Sequence, residues 1–207
     1  MNVVVLAAAA GLFGLFRNPH DSDIQPVTSL VGRNCAAAPD LASPMVLQYA
    51  GKEKSTDAAI EATAPCVLTS SGAALYRVFQ LPPRTALYVI TVVSMPFGAS
   101  LLSPRLLLLD AQGTVKRELA RDDLIFRGND LSARFRSHPD EVYLVVESDA
   151  GLVGNALSRT AESTNVYVSA AANVIYSIHT GNDVTMQYVY SHTGPIEITL
   201  EPLPTPH

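Results

Sequence analysis

The first regular pattern along the chain is an unbroken apolar block, Val3 to Phe16 (VVVLAAAAGLFGLF). It is too short to span a bilayer comfortably and matches the core of a signal peptide. No Lys or Arg precedes the block, Arg17 lies on its far side, and the nearest small-residue site, Ala36-Ala37-Ala38, is distant. These three features argue against a signal peptide, yet on the apolar block residues 1–17 read as one, with a retained anchor or docking segment, or an ordinary buried segment, as alternatives. Residues 18–65 are rich in Pro, Ala, Ser and Asp and have little periodicity, as in NPHDSDIQP and CAAAPDLASP. They predict an extended arm with at most one short strand near Val46 to Tyr49.

After Cys66 the pattern changes to short β-branched and aromatic runs punctuated by Pro and Gly, at the spacing of a sandwich or barrel. Strands are predicted at Leu75–Leu81, Leu87–Ser94, Arg105–Leu109, Val115–Leu119, Leu131–Arg136, Val142–Glu147, Val166–Ser169, Val174–His179, Val184–Ser191 and Ile196–Glu201. In LSARFR, Leu131, Ala133 and Phe135 alternate with Ser132, Arg134 and Arg136, which marks a strand with one wet face. VTMQYVYS and IEITLE split the same way, whereas RLLLLD and YLVV are apolar on both faces and read as central strands. Asp110-Ala111-Gln112-Gly113 predicts a hairpin, with Asp opening the turn and Gly closing it. One stretch breaks the β pattern: after Ser148-Asp149, residues Leu152, Val153, Ala156 and Leu157 recur at helical spacing and predict a short helix reaching Ala161. The fold expected is mostly β, an antiparallel β-sandwich (jelly-roll-like) spanning residues 66–201, with one short helix, the extended N-terminal arm and a Pro-rich tail at 202–207.

Composition narrows the function classes. Charged residues make up 16% of the 207 residues against 48% apolar, a balance that suits a protein with a docking surface. A net charge of -5 without a basic stripe argues against nucleic acid as a ligand. Cys35 and Cys66 have no C-x-x-C or metal-ligand spacing. In an oxidising compartment they are a candidate disulfide; in a reducing one they are two small buried hydrophobes.

SPRLLLLDAQGTVKREL followed by ARFRSHPDEVYLVVESDAGLVGNALSRT resembles the MalM family of maltose-operon periplasmic proteins over Ser103 to Thr160. That resemblance implies a periplasmic, β-rich domain and carries over no catalytic residues. YRVFQLPPRTALYVITV followed by RLLLLDAQG is similar to the small jelly-roll domains appended to secreted peptidases, which implies an accessory module without an active site of its own.

Candidate chemistry is sparse. His20, His138, His179, His192 and His207 show no metal-ligand spacing, and His179 and His192 are the pair a hairpin can bring together. G-x-S-x-G, G-x-x-x-x-G-K-[ST] and G-x-G-x-x-G are all missing, so no catalytic residue, metal or cofactor is assigned. Asp110, Asp122, Asp123, Asp140, Glu141, Glu147 and Asp149 are carboxylates from which a hydrolytic pair is conceivable, and turns and solvated strand faces account for them equally. Asp122-Asp123 with Asn129-Asp130 lack the spacing of a calcium loop. Tyr167, Tyr176, Tyr188 and Tyr190 are the candidates for a sugar-stacking platform; the alternative is half-buried core tyrosines. The expectation is an exported, periplasmic or cell-surface, non-enzymatic accessory subunit that packs on other envelope proteins, with membrane contact through residues 1–16 where the leader is retained. The alternative is a saccharide- or peptide-binding module.

Overall fold

The computed structural model describes residues 24–49, 51–82, 87–171 and 174–203, and of 161–184 the backbone alone. The leader, residues 18–23 of the arm and the end of the Pro-rich tail lie outside the described residues. The strands are β1 (Met45–Val46), β2 (Lys54–Ile60), β3 (Cys66–Thr69), β4 (Gly72–Gln80), β5 (Tyr88–Ser94), β6 (Ser100–Leu102), β7 (Pro104–Leu109) and β8 (Val115–Leu119). They continue with β9 (Ile125–Arg127), β10 (Asp130–Arg136), β11 (Tyr143–Ser148), β12 (Ala156–Ala171), β13 (Val174–Ser191) and β14 (Gly194–Pro202).

Two sheets face one another as a β-sandwich. The first has the order β1-β4-β11-β7-β8, with β3 also on β4, and the second has the order β2-β14-β5-β10-β9. Alternation along each strand builds the core between them. Leu75, Phe79, Leu144, Val146, Leu106 and Leu108 of the first sheet pack in one cluster with Ile90, Val92, Leu131, Ala133, Ile196 and Ile198 of the second. The period-two reading of LSARFR holds in part: Leu131, Ala133 and Phe135 are buried and Arg134 and Arg136 exposed, but Ser132, expected on the wet face, is buried. The Asp110 hairpin holds as well: Asp110 Oδ1 accepts from the Gln112 and Thr114 N–H groups, and Gly113 takes a φ of 80°. At Gly194 a side chain has no room, because a Cβ there would stand 2.8 Å from that of Leu102.

The outer faces of the two sheets differ. On the second sheet, Arg134 pairs with Glu201 at 2.7 Å on a polar surface. On the first, Tyr76, Val78, Val145, Leu107 and Leu109 form a second buried cluster with Leu41 packed against it. The arm covers this face. Ala36 bridges to Val67, the Asp40 N–H donates to the Tyr76 hydroxyl at 2.8 Å, Leu41 reaches Gly113 in the β7–β8 turn, and Met45 returns to pair with Phe79.

Two expectations need correction. The predicted helix after Asp149 is a run of turns: Gly154, at a φ of 86°, donates to the Tyr190 carbonyl, and Asn155 accepts from the Tyr190 N–H. Pairing to β13 captures the chain before a helical turn completes, and β12 begins at Ala156. The only helical element among the described residues is a 3-10 turn, Arg121–Asp123. The arm, too, is more structured than its composition predicts. Besides β1 it supplies β2, whose seven residues all pair with Gly194–Leu200 of β14. A strand reading KSTDAAI has no strong hydrophobic alternation, so its conformation comes from the neighbour it completes.

Candidate functional site

The most unusual element is the ribbon formed by β12 and β13. The sequence predicts three separate strands here, at Val166–Ser169, Val174–His179 and Val184–Ser191, whereas the backbone pairs continuously from Ala156 opposite Val189 to Ala171 opposite Val174. Its base belongs to the body. Val189–Ser191 pair in parallel with β6, and Tyr188 and Tyr190 join the main core. The Arg159 guanidinium lies 4.2 Å from the Phe126 ring centroid and donates to the Gly128 carbonyl. Beyond Thr160 and Thr185, which stand opposite one another with their hydroxyls 3.1 Å apart, β12 and β13 pair only with each other among the described residues. At about 3.3 Å per residue this part of the ribbon is roughly 35 Å long. Glu162 and Asp183 face each other where it begins, and from Ser163 to Asn182 the sequence holds no Asp, Glu, Lys, Arg or Pro.

The tyrosine platform needs correction. Tyr188 and Tyr190 are each 5% exposed, so neither offers a ring face to a sugar. Their alternation places both on the core side of β13, with Thr185, Gln187 and Val189 exposed. Tyr167 stands opposite Ile178, and Tyr176 opposite Ser169, in the ribbon backbone; their side chains, like that of His179, lie outside the described residues.

Cys35 and Cys66 are bonded, which fastens the draped loop to β3. Six of the seven candidate carboxylates serve local structure. Asp110 and Asp149 cap turns, Asp123 accepts from the Ala120 N–H, and Asp140, Glu141 and Glu147 pair with Lys116, Arg117 and Arg105. No group of three metal-ligating side chains gathers among the described residues.

Sequence reasoning missed two buried polar assemblies. On the outer face of the first sheet, Arg105 donates through Nη1 to Glu147 at 2.8 Å and through Nη2 to Glu118 at 2.7 Å. Glu147 is held above the usual carboxylate range by burial, against the opposing pull of Arg105, while the hydrogen bond from Arg105 holds Glu118 below it. The signal was the charge at one end of each central strand, Arg105 before LLLL and Glu147 after YLVV.

The second assembly joins Ser148 and His192, whose Oγ and Nδ1 lie 2.8 Å apart. A serine beside a histidine is the start of a nucleophile-base pair. Here Ser148 is 1% and His192 5% exposed, and the Ser148 Oγ accepts from the Leu75 N–H, so the pair works as a core hydrogen bond. It also holds the N-terminal strap: the His192 N–H donates to the Val27 carbonyl, the Val27 N–H donates to Ser191 Oγ, and Thr193 Oγ1 donates to the Gln25 carbonyl.

Burial pushes the His192 imidazole below its ordinary pKa. A base whose folded-state pKa is lowered contributes stability that is present above the unfolded value and is lost as pH falls through it. His192 should therefore contribute a decline in urea-unfolding stability between pH 7 and pH 5, against the opposite contribution of Glu147. His192→Gln should flatten that slope, and an unchanged slope would remove His192 as its source.

A groove of about 450 Å³ runs between the draped loop and β4, lined by Asp40, Ser43, Pro44, Met45, Pro65, Tyr76, Arg77 and Val78. No protein-family model matches the chain, and comparison with curated proteins finds no match.

Proposed function

We propose that this protein is a non-enzymatic accessory subunit of a cell-envelope or extracellular assembly, acting by packing against other proteins through the β12–β13 ribbon. The observation that carries this reading is the ribbon itself. The core tyrosines lie below the register at Thr160 and Thr185, and above it β12 and β13 pair with each other alone among the described residues. A two-stranded ribbon by itself is marginal in water, which favours an element that is completed by something else. Export is supported by the Cys35–Cys66 bond, which belongs to oxidising compartments, and by the MalM resemblance over Ser103 to Thr160.

The test exploits the register. Because Thr160 and Thr185 stand directly opposite, residues 161–184 can be replaced by Asn-Gly, the pair that closes a two-residue hairpin. The shortened protein should unfold within about 1 kcal/mol of the native chain, as expected where a change leaves the packed body untouched. Envelope proteins that co-elute with the tagged native chain should be lost from it. Co-elution of the same proteins with the shortened chain, or of none with the native one, would defeat the reading.

A saccharide or peptide ligand is the second reading. The groove beside Tyr76 and Arg77 is the concave surface that favours it. Calorimetric titration against a glycan and peptide panel tests it, with Arg77→Ala as the control; heats that Arg77→Ala leaves unchanged would place the ligand elsewhere.

A further inference from the structure

We propose that the ribbon pairs edge to edge with the ribbon of a second copy of this chain, β12 against β12 in antiparallel register about a two-fold axis, making a four-stranded sheet. This rests on the reading of the ribbon as the docking element.

The ribbon offers a backbone edge. Its register sets Val166 opposite His179 and Val168 opposite Ser177 on one side, and Tyr167 opposite Ile178, Ser169 opposite Tyr176 and Ala171 opposite Val174 on the other. Two strands form no closed barrel, so in lipid the edges of the ribbon would be left unsatisfied. Among the described residues no strand lies beside the outer edge of β12, whereas the outer edge of β13 is partly taken by β6 at Val189–Ser191.

Exposed edges are ordinarily guarded by Lys, Pro, bulges or inward charges. From Ser163 to Asn182 there is neither a charged residue nor a proline, and the register runs without a bulge from Ala156 to Ala171. An uncharged edge meets its own copy without like-charge repulsion even though each chain carries a net charge of -5. A two-fold axis satisfies both β12 edges with a single contact and closes the assembly at two copies, whereas β12 on β13 would propagate.

Light scattering after gel filtration of the full chain should give twice the mass of one chain, and the Asn-Gly variant should give the mass of one. Because Cys35 and Cys66 are bonded, a single cysteine placed in turn at each position from Ser163 to Ala171 is the only free thiol. Oxidation should cross-link copies at one or two neighbouring positions and fade on either side. Val166→Lys with Val168→Lys should weaken self-association at least tenfold, while Ile175→Lys with Ser177→Lys on the far strand should leave it largely intact.

A dimer that persists in the Asn-Gly variant overturns the proposal, because it uses another surface. A monomer whose ribbon still captures envelope proteins overturns it and leaves the accessory-subunit reading standing. A monomer with no ribbon-dependent partner overturns both. A monomer that floats with phosphatidylethanolamine–phosphatidylglycerol vesicles only when the ribbon is present overturns it in favour of a lipid surface.

Discussion

Arg105→Met is expected to cost about 3 kcal/mol of folding stability at pH 7, the usual consequence of removing one partner from a buried ion pair. The Glu147 side chain is 2% exposed and Arg105, 24% exposed, is the cation it touches. Methionine keeps the aliphatic stem that packs on the first sheet and deletes the charge, leaving a carboxylate in a site that burial already makes unfavourable for it. The sign with pH follows. Glu147 has a folded-state pKa raised above its unfolded value, so its charged form opposes folding as pH rises through the folded pKa, and the opposition disappears as pH falls toward the unfolded value. The deficit of Arg105→Met should thus be largest at pH 7 and shrink toward pH 5, and adding Glu147→Gln should recover most of it at pH 7. Urea titrations of the two variants at both pH values decide the matter. A deficit below 1 kcal/mol, or one equal at the two pH values, would mean that Glu147 finds water or another donor when Arg105 is gone.

Removing the disulfide is the other large effect. Cys35 and Cys66 lie 31 residues apart, and closing a loop of that size reduces the entropy of the unfolded chain by an amount equivalent to roughly 3 to 4 kcal/mol. The loop holds the segment draped on the first sheet, together with β1 and β2. Cys35→Ala with Cys66→Ala should lower the unfolding free energy by close to that amount in guanidinium titrations. The loss should also have a location. Amide exchange should quicken first at Ala36 and Leu68, whose N–H groups bond the Cys66 and Ala36 carbonyls beside the bridge. A loss under 1 kcal/mol would show that β1 on β4 and β2 on β14 already constrain the unfolded loop, or that it retains structure without the bond.

Strands that carry their own hydrophobic run were legible in the sequence: β4, β5, β7, β8, β10, β11 and β14 fall within a residue or three of their predicted bounds. Alternation also sorted the faces of β10 and the base of β13, except at Ser132 and Ser191, which are buried. Elements that depend on a neighbour were not legible. KSTDAAI is a strand because β14 lies beside it, and Ser100–Leu102 because Val189–Ser191 does. GLVGNAL has helical spacing, yet Tyr190 takes its backbone hydrogen bonds.

The candidate site divides in the same way. The two cysteines were visible as a pair, while Glu147 and Arg105 were visible only as charges at strand ends, and their meeting required β7 and β11 to be adjacent. Tyr188 and Tyr190 looked like platform residues because a strand with one wet face offers its aromatics to either side; which side became core was set by the sheet they pack on. The sequence divides the ribbon into three strands, whereas pairing with Glu162–Asn165 of β12 holds Thr180-Gly181-Asn182-Asp183 extended.

What the chain determined alone is therefore the local part: the β character, the alternation of central and wet-faced strands, the Asp110 turn and the candidate disulfide. Tertiary structure decided which edges are covered, which charges are buried in pairs and which strands run on into the ribbon. The physical reason is range. Side-chain alternation and turn chemistry act between residues close in sequence, whereas backbone edges and buried charges are satisfied by partners tens of residues away, and only the assembled sheets bring those partners together.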